Sequence, residues 1–175
     1  MENPKNPRRT PKDDSPDPVQ AVGDAMLTLQ RLTSNRTVHQ MLMQMVGSDL
    51  SIQETRVLLA LHSESLTATE VARRLRMDAG ASSRQVTSLT ERGLVKRTTI
   101  RDTDGPSTRT LLTVSARGRT LAERIESVRA SHLNRTFANW SPDDATALAR
   151  LLTQFVADMQ STPYSPSSVT TRKAG

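Results

Sequence analysis

Residues 67–100 read TATEVARRLRMDAGASSRQVTSLTERGLVKRTTI, and the organisation of the chain follows from them. Thr67-Ala68-Thr69-Glu70 is a capping box, in which a hydroxyl and a carboxylate satisfy free N–H groups at a helix start. It predicts a short helix from Thr67 to Leu75. After a turn, Asp78 is a suitable N-cap for a second helix, Asp78 to Arg92, which Gly93 stops. Leu94 to Ile100 reads as a strand. A polar tip, Arg101 to Ser107, then leads into a returning strand, Thr108 to Val114. Two short helices followed by a two-stranded ribbon predict a winged helix-turn-helix, whose second helix is built to enter a DNA major groove.

Helical spacing sorts the second helix into faces. At about 3.6 residues per turn, Ser82, Val86 and Leu89 fall on the side that packs on the domain. Arg84, Thr87, Ser88 and Glu91 fall on the other, with Ser83 and Gln85 on the flanks. Small residues at the start (Ala79, Gly80, Ala81 and Ser82) leave the helix open to close approach. A merely solvated face would carry long Lys/Glu pairs instead. The expected DNA-contacting set is therefore Ser82, Ser83, Arg84, Gln85, Thr87 and Ser88. Arg84 leads it, because a guanidinium can bond guanine O6 and N7 together.

The ribbon adds Lys96, Arg97, Arg101 and Arg109 as expected phosphate or minor-groove contacts. Asp102 and Asp104 at its tip would be repelled by phosphates and are expected to fold back onto Arg101 or Arg109. Leu66 to Arg109 holds nine basic and five acidic residues, a net +4 out of +6 for the chain. The excess positive charge is concentrated where the motif predicts it.

Composition bounds the rest. The chain has 175 residues, 35% of them hydrophobic and only 2% aromatic, enough for one compact domain plus tails with a core of Leu, Val, Met and Ala. So few aromatics argue against stacking-based recognition of single-stranded nucleic acid. A pI near 10.7 favours a polyanionic partner. There is no Cys, hence no disulfide, cysteine redox sensor or thiolate metal site. With no bilayer-length apolar run and no signal-peptide core, a cytoplasmic protein without a membrane partner is expected.

Residues 1–18 and 160–175 are polar and Pro-rich or Ser/Thr-rich, and are expected to be disordered tails. The domain is expected over 19–159, with the winged helix at about 51–115 between helices at 19–46 and 116–159. Ser51-Ile52-Gln53-Glu54 is a further capping box, and Ser141-Pro142-Asp143-Asp144 a further helix start. The fold class is thus mainly α, an α+β winged helix flanked by long terminal helices. Those helices carry apolar stripes, among them Val22, Met26, Leu29 and Leu32, then Leu148, Leu151, Leu152 and Phe155. The stripes exceed what a small winged domain needs, and predict a two-fold homodimer. Such a dimer would set two recognition helices about 34 Å apart.

Thr67 to Leu75, Asp78 to Val95 and Val114-Ser115-Ala116-Arg117-Gly118, set between long flanking helices, resemble the MarR family of transcriptional regulators. The last segment is similar to the family's Leu-Thr-x-x-Gly step from wing into dimer helix. The resemblance covers about Val19 to Met159. It implies a dimer that binds a short palindrome on double-stranded DNA and often responds to a small-molecule effector. One departure stands out. The family's wing tip usually carries Asp-Arg-Arg or similar, whereas here the tip is longer and its arginines, Arg101 and Arg109, stand at the two ends.

Catalysis has no candidate residues, no cofactor is expected, and the function is not expected to be enzymatic. His39, His62 and His132 are isolated and are expected to be exposed or core-edge rather than metal ligands. Met26, Met41, Met43 and Met45 are expected to be packing filler rather than the lining of a ligand pocket. The competing reading is a winged-helix module that binds another protein instead of DNA. An exposed apolar patch on the second helix would favour it, and the spacing shows none.

Overall fold

The computed structural model describes residues 17–101 and 108–162. The two tails expected to be disordered fall almost wholly outside these residues, as does the wing tip with Asp102 and Asp104. The elements run α1 (Pro18–Thr33), α2 (Arg36–Val46), α3 (Ile52–Ser63), α4 (Ala68–Leu75), α5 (Ala79–Glu91), β1 (Val95–Arg101), β2 (Thr108–Val114), α6 (Ala116–Thr136) and α7 (Pro142–Ser161). The protein is mostly helical with one small antiparallel sheet, the winged-helix architecture expected from its sequence.

Local chemistry sets most boundaries. The capping boxes at Ser51/Glu54 and Thr67/Glu70 both form, starting α3 and α4. Asp78 Oδ1 accepts the Ala81 N–H at 2.7 Å and starts α5, and Ser141 starts α7 in the same way. One boundary differs from expectation. The segment 19–46 is two helices rather than one, because Asn35 accepts the N–H groups of Thr37 and Val38 and starts a new helix. A capping side chain at Asn35 offers the backbone an alternative to continuing the first helix.

The described residues up to Val128 form one compact unit, and those from Arg129 a second. The core of the first gathers Met43 and Val46 of α2, Val57, Leu58 and Leu61 of α3, and Val86 and Leu89 of α5. Leu112 of β2 and Ala122 and Ile125 of α6 complete it. The sheet pairs β1 with β2 from Val95↔Val114 to Arg101↔Thr108. Leu66 bridges the free side of β2 at Leu112, through bonds of 2.8 and 3.3 Å, and ties the start of the helix-turn-helix to the wing. Of the described glycines, Gly118 permits the closest approach. A Cβ there would lie 2.1 Å from the Leu94 carbonyl oxygen, so α6 can seat on the base of the wing only without a side chain at this point.

The methionines divide. Met43 is core filler, while Met26 of α1 is 38% exposed and Met41 and Met45 are 58% and 61% exposed, contrary to the packing role expected of all of them. Their stretch of α2 turns a face outward that spacing alone did not separate from the buried one.

Candidate nucleic-acid interface

The recognition surface is built on α5. Val86 and Leu89 are buried, which fixes the helix's rotation. Ser83, Arg84 and Thr87 are consequently exposed, and Gln85 is half-buried. Two expected contacts leave this surface. Ser82 is 1% exposed, with its hydroxyl turned toward the Ala68 carbonyl at 3.5 Å. Its place in the expected set rested on small size, and small size is also what lets α4 and α5 pack closely. Ser88 is half-buried and donates its hydroxyl to Glu54 Oε1 at 2.6 Å, a bond to α3 rather than outward.

Arg84 lies back along its own helix. Its Nη1 is 3.4 Å from the position a Cβ at Gly80 would take, and Asp78 Oδ1 is 3.2 Å from the same point. The space left by the small residues at the helix start is therefore held by the Arg84 head group. Arg84 forms no ion pair among the described residues.

The wing cations fall on two faces. Paired residues of an antiparallel ladder share a face and neighbours along a strand alternate, so Arg97 and Arg101 lie on one side with Val95 and Leu112. Lys96 and Arg109 lie on the other, with Thr113 and Ile100. All four are exposed. Arg97 Nη2 donates to Thr87 Oγ1 at 3.4 Å and joins the base of the wing to the outward face of α5. Arg109 is near enough to Glu70 on α4 to help hold that carboxyl below its ordinary range. The larger causes are the hydrogen bonds Glu70 accepts from the Thr67 N–H and hydroxyl. Arg109 is thus partly offset by an acid of the helix-turn-helix, while the wing-tip aspartates expected to fold back onto Arg101 or Arg109 lie outside the described residues.

A clamp behind α5 was not anticipated. Arg92, the residue that ends α5, donates to Asp49 Oδ1 at 2.6 Å and lies 3.6 Å from Glu54 Oε1. Glu54 is 7% exposed and accepts from Ser88 and from the Ser51 N–H. Burial raises its carboxyl, but the hydrogen bonds from Ser88 and Ser51 and the Arg92 charge outweigh that and leave it below the ordinary value. The capping box revealed Glu54 as a helix-start residue. Its reach to Ser88, 34 positions away, has no signature in sequence.

His39 Nε2 is 2.7 Å from the Leu50 carbonyl oxygen, and His62 Nε2 is 3.7 Å from a Glu126 carboxylate oxygen. Among the described residues no group of three or more His, Asp or Glu side chains could hold a metal ion, and no helix is long and apolar enough to cross a membrane.

Residues 48–105 match the MarR family model, a span that contains α3, the helix-turn-helix and β1. Over that span the chain is similar to the MarR family. Among solved structures, Rv1404 from Mycobacterium tuberculosis is 22% identical with a TM-score of 0.63, covering 83% of this chain and 97% of that one. A MarR family protein from Bacillus stearothermophilus is 17% identical with a TM-score of 0.64, covering 81% and 97%. FabT from Streptococcus pneumoniae, solved in complex with DNA, is 14% identical with a TM-score of 0.54, covering 82% and 93%. At these identities the likeness is one of fold. No curated protein matches the sequence.

Proposed function

We propose that this protein is a transcriptional regulator that binds a palindromic site on double-stranded DNA as a homodimer. The observation that carries the reading is the exposed polar face of α5, with Ser83, Arg84 and Thr87 outward and Arg97 of the wing joined to Thr87. That face holds no exposed large apolar side chain, which favours DNA over a protein partner. The complex of FabT with DNA supports the same use of the fold. Ser83, Arg84, Gln85 and Thr87 are the base-reading candidates, and Lys96, Arg97, Arg101 and Arg109 the backbone contacts.

Binding titrations of wild type and Arg84→Ala on a selected operator and its single-base variants test this reading. A bidentate guanine contact is worth roughly 1–3 kcal/mol of discrimination, so the variant should lose preference at one symmetric pair of positions. Equal losses on every variant would make Arg84 a backbone contact, and no loss would remove α5 from the interface.

The dimer rests on the terminal helices. Neither α1 nor α7 buries a single side chain, yet Val19, Leu32 and Leu151 are 78%, 58% and 52% exposed. A second copy would cover such faces. Light scattering should give twice 19.3 kDa at micromolar concentration, and a monomer mass would rule this out.

A small-molecule effector completes the reading. A cleft of about 600 Å³ at the C-terminal end of α5, lined by Leu50, Arg92, Leu94, Leu121 and Arg124 among others, offers it a place. The cleft adjoins the Arg92 clamp, so an occupant there could bias the position of α5.

A further inference from the structure

Three helices of the first unit end in a left-handed residue, and they do not end alike. At α2 the residue is Gly47 with φ +65°, and at α5 Gly93 with φ +69°. At α4 it is Arg76 with φ +51°, the only non-glycine with positive φ among the described residues. The hydrogen bonding is the same in all three. The N–H after the left-handed residue reaches back five positions, from Ser48 to Met43, Leu94 to Leu89 and Met77 to Ala72, each at 2.9 Å. Glycine is the residue this geometry favours, since any Cβ is crowded there. The fold uses it twice. At the turn between α4 and α5 it has a long cation instead.

Two neighbouring arginines, Arg74 of α4 and Arg56 of α3, have structural occupations. Arg74 pairs with Glu64. Arg56 donates to the Leu75 carbonyl at 3.0 Å and to Gln53. Arg76 is exposed and forms no ion pair among the described residues. It stands two positions before Asp78, the N-cap of α5, and so within about 7 Å of chain from the helix start that would enter the groove. Met77 beside it is half-buried and anchors the turn, which leaves the Arg76 side chain as the part free to reach outward.

We infer that Arg76 is a DNA-backbone contact, a phosphate clamp on the helix-turn-helix turn that fixes how the N-terminal end of α5 meets the groove. This inference rests on the DNA-binding reading above. It adds a cation outside both α5 and the wing, in a place where the backbone conformation argues for glycine and the side chain makes no ion pair or hydrogen bond among the described residues.

The test uses the full chain and sheared genomic DNA of mixed sequence, with affinity measured across a salt series. Three variants separate charge from backbone. Arg76→Gly removes the charge and relieves the left-handed strain, Arg76→Gln removes the charge and keeps the strain, and Arg76→Lys keeps both. Gly and Gln should weaken binding alike, roughly ten-fold at low salt. Each should also reduce the salt slope by about one per bound protomer, because one phosphate contact releases about one counterion. Lys should stay near wild type. Meanwhile Arg76→Gly should melt no lower than wild type, which shows that the loss is not one of folding. If wild type binds and Arg76→Gln keeps its affinity and slope, the clamp is overturned while the DNA reading stands. If only Arg76→Gly loses affinity, turn rigidity rather than charge is responsible, and the clamp is again overturned. If wild type itself fails to bind duplex DNA, the DNA reading falls and the clamp with it.

Discussion

Helices α3 and α7 both carry several large apolar side chains, and the structure treats them in opposite ways. Of the 12 residues of α3, six are buried, including Val57, Leu58 and Leu61. Of the 20 residues of α7 none is, and Leu151 and Leu152 stand 52% and 48% exposed. The apolar side chains on each say that a partner is needed. Only the surrounding chain says whether that partner is within the molecule. For α3 it is, in α4, α5 and β2.

The strongest way to break the comparison is to truncate the same residue type in both helices. Leu58 is 0% exposed, so Leu58→Ala should cost about 2–5 kcal/mol in chemical denaturation. Leu151→Ala should cost less than about 0.5 kcal/mol under conditions that dissociate any assembly. At higher protein concentration its cost should rise, since an interface is linked to concentration by mass action. A loss for Leu151→Ala as large as that for Leu58→Ala, and independent of concentration, would show that α7 is packed within its own chain.

The length of α6 holds the same contrast. Its N-terminal half is seated through Gly118, while Leu133 further along is 54% exposed. Gly118→Ala should destabilise by about 3 kcal/mol, because the added Cβ meets the Leu94 backbone rather than a movable side chain. Differential scanning calorimetry would read this as a lowered Tm. An unchanged Tm would mean that α6 shifts freely on the wing.

Among the changes within the first unit, the smallest effect is expected at the clamp behind α5. Glu54→Gln should cost about 1–3 kcal/mol near pH 7, by weakening the acceptor for Ser88 and leaving Arg92 with Asp49 alone. The carboxyl is held below its ordinary value of 4.5 in the folded protein. Its contribution is therefore complete above that value and is lost as pH falls through the folded one. Wild type and variant should differ most at neutral pH and converge in denaturation curves taken progressively below about pH 4.5. A difference that grows toward acid would reverse the sign and exclude this role.

The legible parts were those with local causes. The boundaries of α4 and α5 follow from Thr67, Glu70, Asp78 and Gly93, and the buried face of α5 from the spacing of Val86 and Leu89. The exposure of Arg84 follows from the same spacing. Ser88 did not yield to it, because helical period places a side chain at a face but not against an acceptor on another helix. Spacing did set Ser82 on the buried side with Val86 and Leu89; its small size alone had added it to the expected contacts, and a small residue serves a tight helix contact as well as an open approach. The break at Asn35 was written in the sequence as a cap, and the longer apolar pattern around it hid the signal.

By itself, the sequence determined the order of elements from α3 to α7, the winged helix and the cations it displays, because caps, turns and hydrophobic period act over a few residues. Tertiary structure alone decided that Arg97 meets Thr87, that Glu54 and Asp49 hold the end of α5, and that β2 is bridged by Leu66. It also decided that an arginine, not a glycine, occupies the left-handed turn before the recognition helix. These features depend on side chains brought together from distant positions or on a backbone angle set by packing, and neither leaves a periodic trace along the chain.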